Sequence, residues 1–168
     1  MSFRASSAVY TNIRMKNLDS IDLRILNLLQ QDAKFTIKEI AGQLGMTTTP
    51  VYERIRRMEE EGFIKGYVAL VDKQKLDFHI LAFCNVSLHR HHRDLLDIFE
   101  REIKSLPEVV ECYHIAGTFD YLLKVIVRDM QAYQDFMVNK LATLENIGNA
   151  QSVFVMSEVK HSTCLELK

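Results

Sequence analysis

Two helices separated by a glycine-marked turn, followed by a βαββαβ order of apolar periodicities, predict an α+β chain. It is an N-terminal winged helix-turn-helix unit joined to a C-terminal ferredoxin-like βαββαβ sandwich. The first observation is the run TIKEIAGQLGMTTTPVYERIRRMEEEGFIKG from Thr36 to Gly66. The second is the change of period after Gly62, where FIKGYVALVD reads as a strand and short apolar stretches then alternate with helical ones up to Lys160. The third is an internal echo, in which Leu106, Pro107, Glu108, Val109 follows one helix and Leu144, Glu145, Asn146, Ile147 follows the other.

Composition sets the frame. The 168 residues suit one to two domains, and 48% apolar with 26% charged content is enough to build a core in each. No run of ~18 apolar residues is present, and the N-terminal MSFRASSAVYTNIRMKN lacks the apolar stretch of a signal peptide, so no membrane partner and a cytoplasmic location are expected. Three cysteines, Cys84, Cys112 and Cys164, are odd in number and in no paired spacing, which predicts thiols. A net charge of -1 neither supports nor excludes an anionic partner, because Arg54, Arg56, Arg57 and Lys65 cluster beside the turn.

The first helix is predicted to begin at Asp19, whose carboxylate can accept from free backbone amides, with Asp22 adding charge near the positive end of the helix dipole. Ile21, Ile25, Leu28 and Leu29 form its apolar stripe. The second begins at Thr36, with Glu39 completing a capping box, and Ile37, Ile40, Ala41 and Leu44 as its apolar side. Gly45 ends it, because glycine reaches the left-handed conformation of a helix exit. The third opens within Thr47, Thr48 and Thr49, with Pro50 tolerable only in a first turn. Val51, Ile55 and Met58 fall on its core side, leaving Thr49, Glu53, Arg56 and Arg57 outward. Its acids Glu59, Glu60 and Glu61 lie at the far end, which suits a helix whose N-terminal part enters a major groove.

Beyond the predicted strand in FIKGYVALVD, the domain boundary is expected near Asp72 to Phe78. The second unit then reads strand Ile80 to Leu88, helix Asp94 to Lys104, strand Val109 to Ala116, strand Tyr121 to Arg128, helix Met130 to Leu144 and strand Gln151 to Lys160. Met130, Tyr133, Met137, Leu141 and Leu144 recur at spacings of three and four, so this helix lies on the sheet. One layer of helices leaves the other sheet face uncovered, which predicts a homodimer with sheets packed face to face.

The boundaries expected are an extension over 1–17, the helix-turn-helix unit over 18–66, a linker strand and connection over 67–79, and the sandwich over 80–168. Met15 is a plausible internal start, and residues 1–14 are expected to be poorly ordered or draped on a neighbour. His89, His91 and His92 share a short segment with Arg90 and Arg93, but only Asp94 stands nearby as a further ligand, so a solvated basic loop is expected and no metal site. No phosphate-binding glycine loop, nucleophile elbow or metalloprotease helix occurs, and Cys112 reads as a small core residue, so no catalysis and no cofactor are expected.

The helix-turn-helix, the ERIRRMEEEGFIKGY run and the GTFDYLLKV segment together resemble the Lrp/AsnC family of feast/famine regulators, over Leu18 to Lys168. The resemblance implies a transcription factor whose first domain binds double-stranded DNA. Its second, a RAM-type domain, dimerises, assembles further to octamers and senses an amino acid. It implies that Thr47, Thr48, Thr49, Pro50, Tyr52, Glu53, Arg54, Arg56 and Arg57 form the DNA-reading surface, with Arg54 to the side. It also implies an effector site where the Gly117 to Tyr121 turn, with Thr118 and Asp120, meets another subunit. There Asp120 is the acidic ligand contact, Met130 a side-chain contact, and Val153, Phe154 and Val155 the facing strand. Without the resemblance, Gly117 and Asp120 read as an ordinary hairpin turn. The other reading is an effector-independent DNA-organising protein whose second domain serves only assembly.

Overall fold

The computed structural model describes residues 18–167, so the expectations for residues 1–17 lie outside it. The described chain divides into two units. One comprises the residues up to Ala69 together with those from His161, and the other runs from Leu70 to Lys160. The tail from His161 thus packs with the helix-turn-helix rather than with the sandwich whose last strand precedes it.

The first unit holds α1 (Ser20–Gln31), α2 (Ile37–Leu44) and α3 (Thr48–Glu60). The expected Thr36–Glu39 capping box forms, and Asp19 and Asp22, expected as an N-cap and a dipole charge, make a second one. Asp19 accepts from the Ile21 and Asp22 amides while Asp22 accepts from the Asp19 amide, and Thr36 and Glu39 do the same for α2. Gly45 closes α2 at φ 67, where a Cβ would be strained. Thr47 is the N-cap of α3 by backbone geometry but makes no side-chain cap bond. The three helices close over Ile25, Ile40, Ala41, Val51 and Met58, with Ile21, Leu28, Leu29, Leu44 and Ile55 packed around them. The tail is held on α1 by polar contacts. The Gln30 side-chain amide accepts from the Leu165 N–H at 2.7 Å and donates to the Leu165 carbonyl at 3.1 Å, while Asn27 donates to the Leu167 carbonyl at 3.2 Å.

The strand expected in FIKGYVALVD is absent: Phe63 to Asp72 contains no strand. Ile64 N–H bonds back to the Met58 carbonyl, and no described strand ladder includes Tyr67 to Asp72. Val68, Leu70 and Val71 are consequently exposed.

The second unit is β1 (Ile80–Leu88), α4 (Arg93–Lys104), β2 (Val109–His114), β3 (Tyr121–Val127), α5 (Met130–Asp135) and β4 (Ile147–Phe154), the expected βαββαβ order. The strands form one antiparallel sheet in the order β2-β3-β1-β4. Ala82, Cys84, Val86 and Leu88 alternate onto the helix side, where they meet Tyr121, Leu123, Val125, Val127, Phe99, Ile103, Tyr133 and Phe136. The register puts Leu81, Phe83, Asn85, Leu122, Lys124, Ile126, Tyr113 and Val153 on the opposite face, which no element of the unit covers.

Three elements keep their expected place to within two residues, α4 starting at Arg93, β2 ending at His114 and β3 at Val127, whereas two differ by more. The helix from Met130 is α-helical only to Asp135, opens into a π turn over Phe136–Lys140 and ends in a 3-10 turn, Leu141–Thr143. Phe136 and Leu141 are both buried five residues apart, a spacing that a π turn keeps on one side and an α turn does not. The last strand covers Ile147–Phe154 rather than Gln151 to Lys160, because pairing with β1 begins at Leu88 opposite Ile147 and ends at Ala82 opposite Phe154. Past Phe154 one further bond reaches β1, from the Val155 N–H to the Leu81 carbonyl at 2.9 Å, and the residues beyond form no strand.

Candidate functional site

The exposed side of α3 carries Thr48, Thr49, Tyr52, Glu53 and Arg56, positions related by three, four and seven residues and therefore on one stripe. Thr47 continues this surface and Pro50 lies at its flank. Arg56 donates from Nε to Glu60 at 2.8 Å in an i,i+4 pair, with 63% of its side chain exposed. Such a pair exchanges readily for another anion, since exposed pairs contribute little.

Arg57 and Arg54 are placed differently from the sequence expectation. Arg57, expected outward, turns its guanidinium to Asp22 at 2.5 Å, and Arg54 reaches both Asp19 and Asp22 at 2.7 Å. The Asp22 side chain is 0% exposed, so a buried carboxylate draws both guanidinium groups inward. These two arginines tie α3 to α1. Sequence reading missed this role of Asp22, which looked like a dipole charge; the arginines at Arg54 and Arg57, three apart on α3, were the available signal.

In the second unit the β2–β3 hairpin turn contains Gly117 at φ 152, beyond the ordinary range of a side-chain-bearing residue. The turn is held by the Ile115 amide on the Asp120 carbonyl at 2.8 Å and the Asp120 amide on the Val86 carbonyl at 2.9 Å. Thr118 is exposed at its tip. The Asp120 carboxylate is engaged on both oxygens, accepting from the Leu88 N–H at 2.7 Å and meeting His91 Nε2 at 2.9 Å. Burial alone would raise its pKa, but the Leu88 amide, the His91 bond and the charges of His91 and His114 bring it below the usual value. Tyr121 is buried beside it, stacked on His114 and donating its hydroxyl to Glu100 at 3.0 Å.

The remaining predicted effector residues lie at the other end of the sheet. Tyr121 pairs with Val86, whereas Val153 pairs with Phe83 and Phe154 with Ala82. Three residues and two strand spacings separate them, roughly 10 Å along the strands and roughly 10 Å across. Val155 donates to the Leu81 carbonyl. Tyr133, one turn beyond Met130, bonds Ser152 and packs edge-on against Phe154, so the helix start is at this second end. One chain therefore brings Met130 near Val153 to Val155 but not near Asp120.

Residues 18–65 match the pattern of the winged helix-turn-helix DNA-binding family, and residues 81–165 match that of the Lrp/AsnC ligand binding domain. The chain belongs to the Lrp/AsnC family. It is 40% identical over 153 residues to the leucine-responsive regulatory proteins of Escherichia coli and Salmonella typhimurium, covering 91% of this chain and 93% of theirs. A transcriptional regulator of Neisseria meningitidis solved as an L-Met complex superposes with a TM-score of 0.85 at 31% identity, over 89% of this chain and 97% of that one. An AsnC family transcriptional regulator of Agrobacterium tumefaciens gives 0.84 at 36% identity, over the same shares.

Lrp/AsnC proteins are transcriptional regulators, not enzymes, and this member is a DNA-binding regulator modulated through a small-molecule ligand domain. Among the described residues no group of three His, Cys, Asp or Glu side chains is arranged to hold a metal ion. Among them, too, no helix is long and apolar enough to cross a membrane. The three cysteines are free, with Cys84 buried and Cys112 and Cys164 exposed, so the expected core position of Cys112 is not the one observed.

Proposed function

We propose that the regulator responds to an amino acid, bound where the Gly117 to Tyr121 turn of one subunit faces the Met130 and Val153 to Val155 end of another. The observation that carries this is the Asp120 carboxylate at a turn whose Gly117 conformation a residue with a side chain would adopt only under strain. A zwitterionic ligand needs an acceptor for its ammonium, turn amides for its carboxylate and an apolar wall, and the exposed Met130 and Phe154 supply the wall. The separation of the two clusters within one chain favours a site completed by a second copy. A relative named for leucine and another bound to L-Met make an aliphatic or thioether amino acid the first class to test.

The open sheet face supports a homodimer. Leu81, Phe83, Leu122, Ile126 and Val153 form an apolar surface crossed by the Lys124–Glu111 pair, and burying it against its own copy removes it from water. The exposed apolar segment around Val68 to Val71 adds a second surface in need of cover. Dimers then assemble to octamers, acting on DNA in the cytoplasm. Thr47, Thr48, Thr49, Tyr52, Glu53 and Arg56 face the duplex, Pro50 sets the helix start, and Arg54 and Arg57 hold the reading helix in place.

A thermal-shift screen against the common amino acids, with Asp120→Ala alongside, tests the effector. A ligand at about 100 times its Kd adds about 2.7 kcal/mol to the native state. A selective rise in Tm that the variant loses is expected. An equal rise in the variant removes Asp120 from the site.

A further inference from the structure

We propose that His91 is a residue of the effector site, a positioning group that occupies the Asp120 carboxylate in the ligand-free protein and yields it to the effector ammonium. The inference rests on the Asp120 site proposed above.

His91 sits in the exposed β1–α4 loop, 29 residues from Asp120 in sequence, yet its Nε2 lies 2.9 Å from Asp120 Oδ1. The loop is not free to wander. Asn146, itself at φ 74, accepts from the Arg90 N–H through its side-chain oxygen at 2.9 Å, donates to the Arg90 carbonyl at 2.7 Å, and accepts from the His89 N–H through its carbonyl. A pinned loop thus delivers one imidazole, of its three, to the carboxylate. The other Asp120 oxygen is held by the Leu88 amide, an N–H of the strand end that an incoming ligand has no reason to displace. His91 is the exchangeable partner: its side chain is 60% exposed, so leaving Asp120 returns it to water at little cost.

The charged and titratable groups around the pair are few. His114 faces Asp120 from the end of β2. Tyr121 of β3 stands beside it with Glu100 of α4 on its hydroxyl. His89, Arg90, His92 and Arg93 share the loop with His91.

The competition has a direction in pH. A protonated imidazole holds a carboxylate more tightly than a neutral one, and imidazoles change charge between about pH 5 and 8. The α-ammonium of a free amino acid, favoured by its own carboxylate, stays charged throughout that window. Competition from an imidazole therefore makes effector binding weaker at low pH and leaves it level at the upper end of that window, with at most about a tenfold change per pH unit for one linked proton.

The experiment is calorimetric titration of the full chain with L-leucine and L-methionine, extended to the other common amino acids, at intervals from about pH 5.5 to 8. It compares the unmodified protein with His91→Gln, His114→Gln and Asp120→Ala. The expected result is an affinity up to about fivefold weaker at the acid end in the unmodified protein, the limit that an exposed pair sets, flat in His91→Gln, still sloped in His114→Gln and lost in Asp120→Ala. If Asp120→Ala abolishes binding but His91→Gln keeps the full slope, His91 is no part of the site while the amino-acid reading survives. Binding unchanged in Asp120→Ala overturns the His91 proposal and moves the amino-acid site away from Asp120, and binding absent for every amino acid in the unmodified protein overturns both.

Discussion

Asp22 of α1 and Arg54 of α3 meet at 2.7 Å, with the Asp22 side chain fully buried and its second oxygen on Arg57. A carboxylate out of reach of water requires its counter-charges, and these two fasten the DNA-facing helix to the helix that opens the fold. Asp22→Asn leaves two guanidinium groups against a neutral amide, with one acceptor oxygen for the three donors that two oxygens now serve. The cost expected for breaking a buried pair is about 3–5 kcal/mol, seen in urea or thermal unfolding. A loss below about 1 kcal/mol would mean the pair behaves like a surface bridge.

Arg56 and Arg57 separate by the same logic. Arg56→Ala removes an exposed charge bound only to Glu60, so it leaves stability nearly unchanged and lowers the salt dependence of DNA binding by about 0.9 in log-log slope. Arg57→Ala acts through Asp22 and lowers the Tm. Salt titrations of duplex binding together with melting curves distinguish the two; the reverse pattern would place Arg57 on phosphate and Arg56 in the scaffold.

The Thr36–Glu39 capping box gives a pH-dependent contribution. Bonds from the Thr36 amide and hydroxyl hold the Glu39 carboxyl below its ordinary value of 4.5. Since the folded value is the lower one, the stabilisation is fully present above 4.5 and is lost as pH falls through the folded value. Thr36→Ala is expected to cost about 1 kcal/mol at neutral pH, with the difference from the unmodified protein shrinking in acid. A difference constant down to pH 3 would assign the effect to something other than the carboxylate.

Gln30 reads both the N–H and the carbonyl of Leu165, which anchors the tail to α1. Gln30→Ala is expected to lower stability by about 1 kcal/mol and to speed amide exchange at Leu165. Exchange at Leu165 unaltered by the substitution would show that the tail is held by other contacts.

Much of this was readable because it is local. Asp19, Thr36, Glu39 and Gly45 set helix ends through bonds three residues away or through their own backbone, and β1 alternates because its Ala82, Cys84, Val86 and Leu88 share one side. The errors came from longer range. The π turn depends on which face of the sheet Phe136 and Leu141 must both reach, and the start of β4 depends on where β1 ends. The unpaired Phe63 to Asp72 segment shows that strand-like periodicity does not create a partner. In the candidate sites, Asp22 with Arg54 and His91 with Asp120 are pairs 32 and 29 residues apart, which no spacing rule connects.

The most direct measurement is selection of duplexes by the purified protein from a randomised pool, followed by fluorescence anisotropy on the enriched sequence with and without each amino acid. A two-fold-related site is expected, with affinity changed about fivefold or more by one amino acid, the lower end of ordinary allosteric coupling, and with that change lost in Asp120→Ala. An enriched site whose affinity no amino acid alters would contradict an amino-acid-responsive regulator and leave a DNA-organising protein in its place.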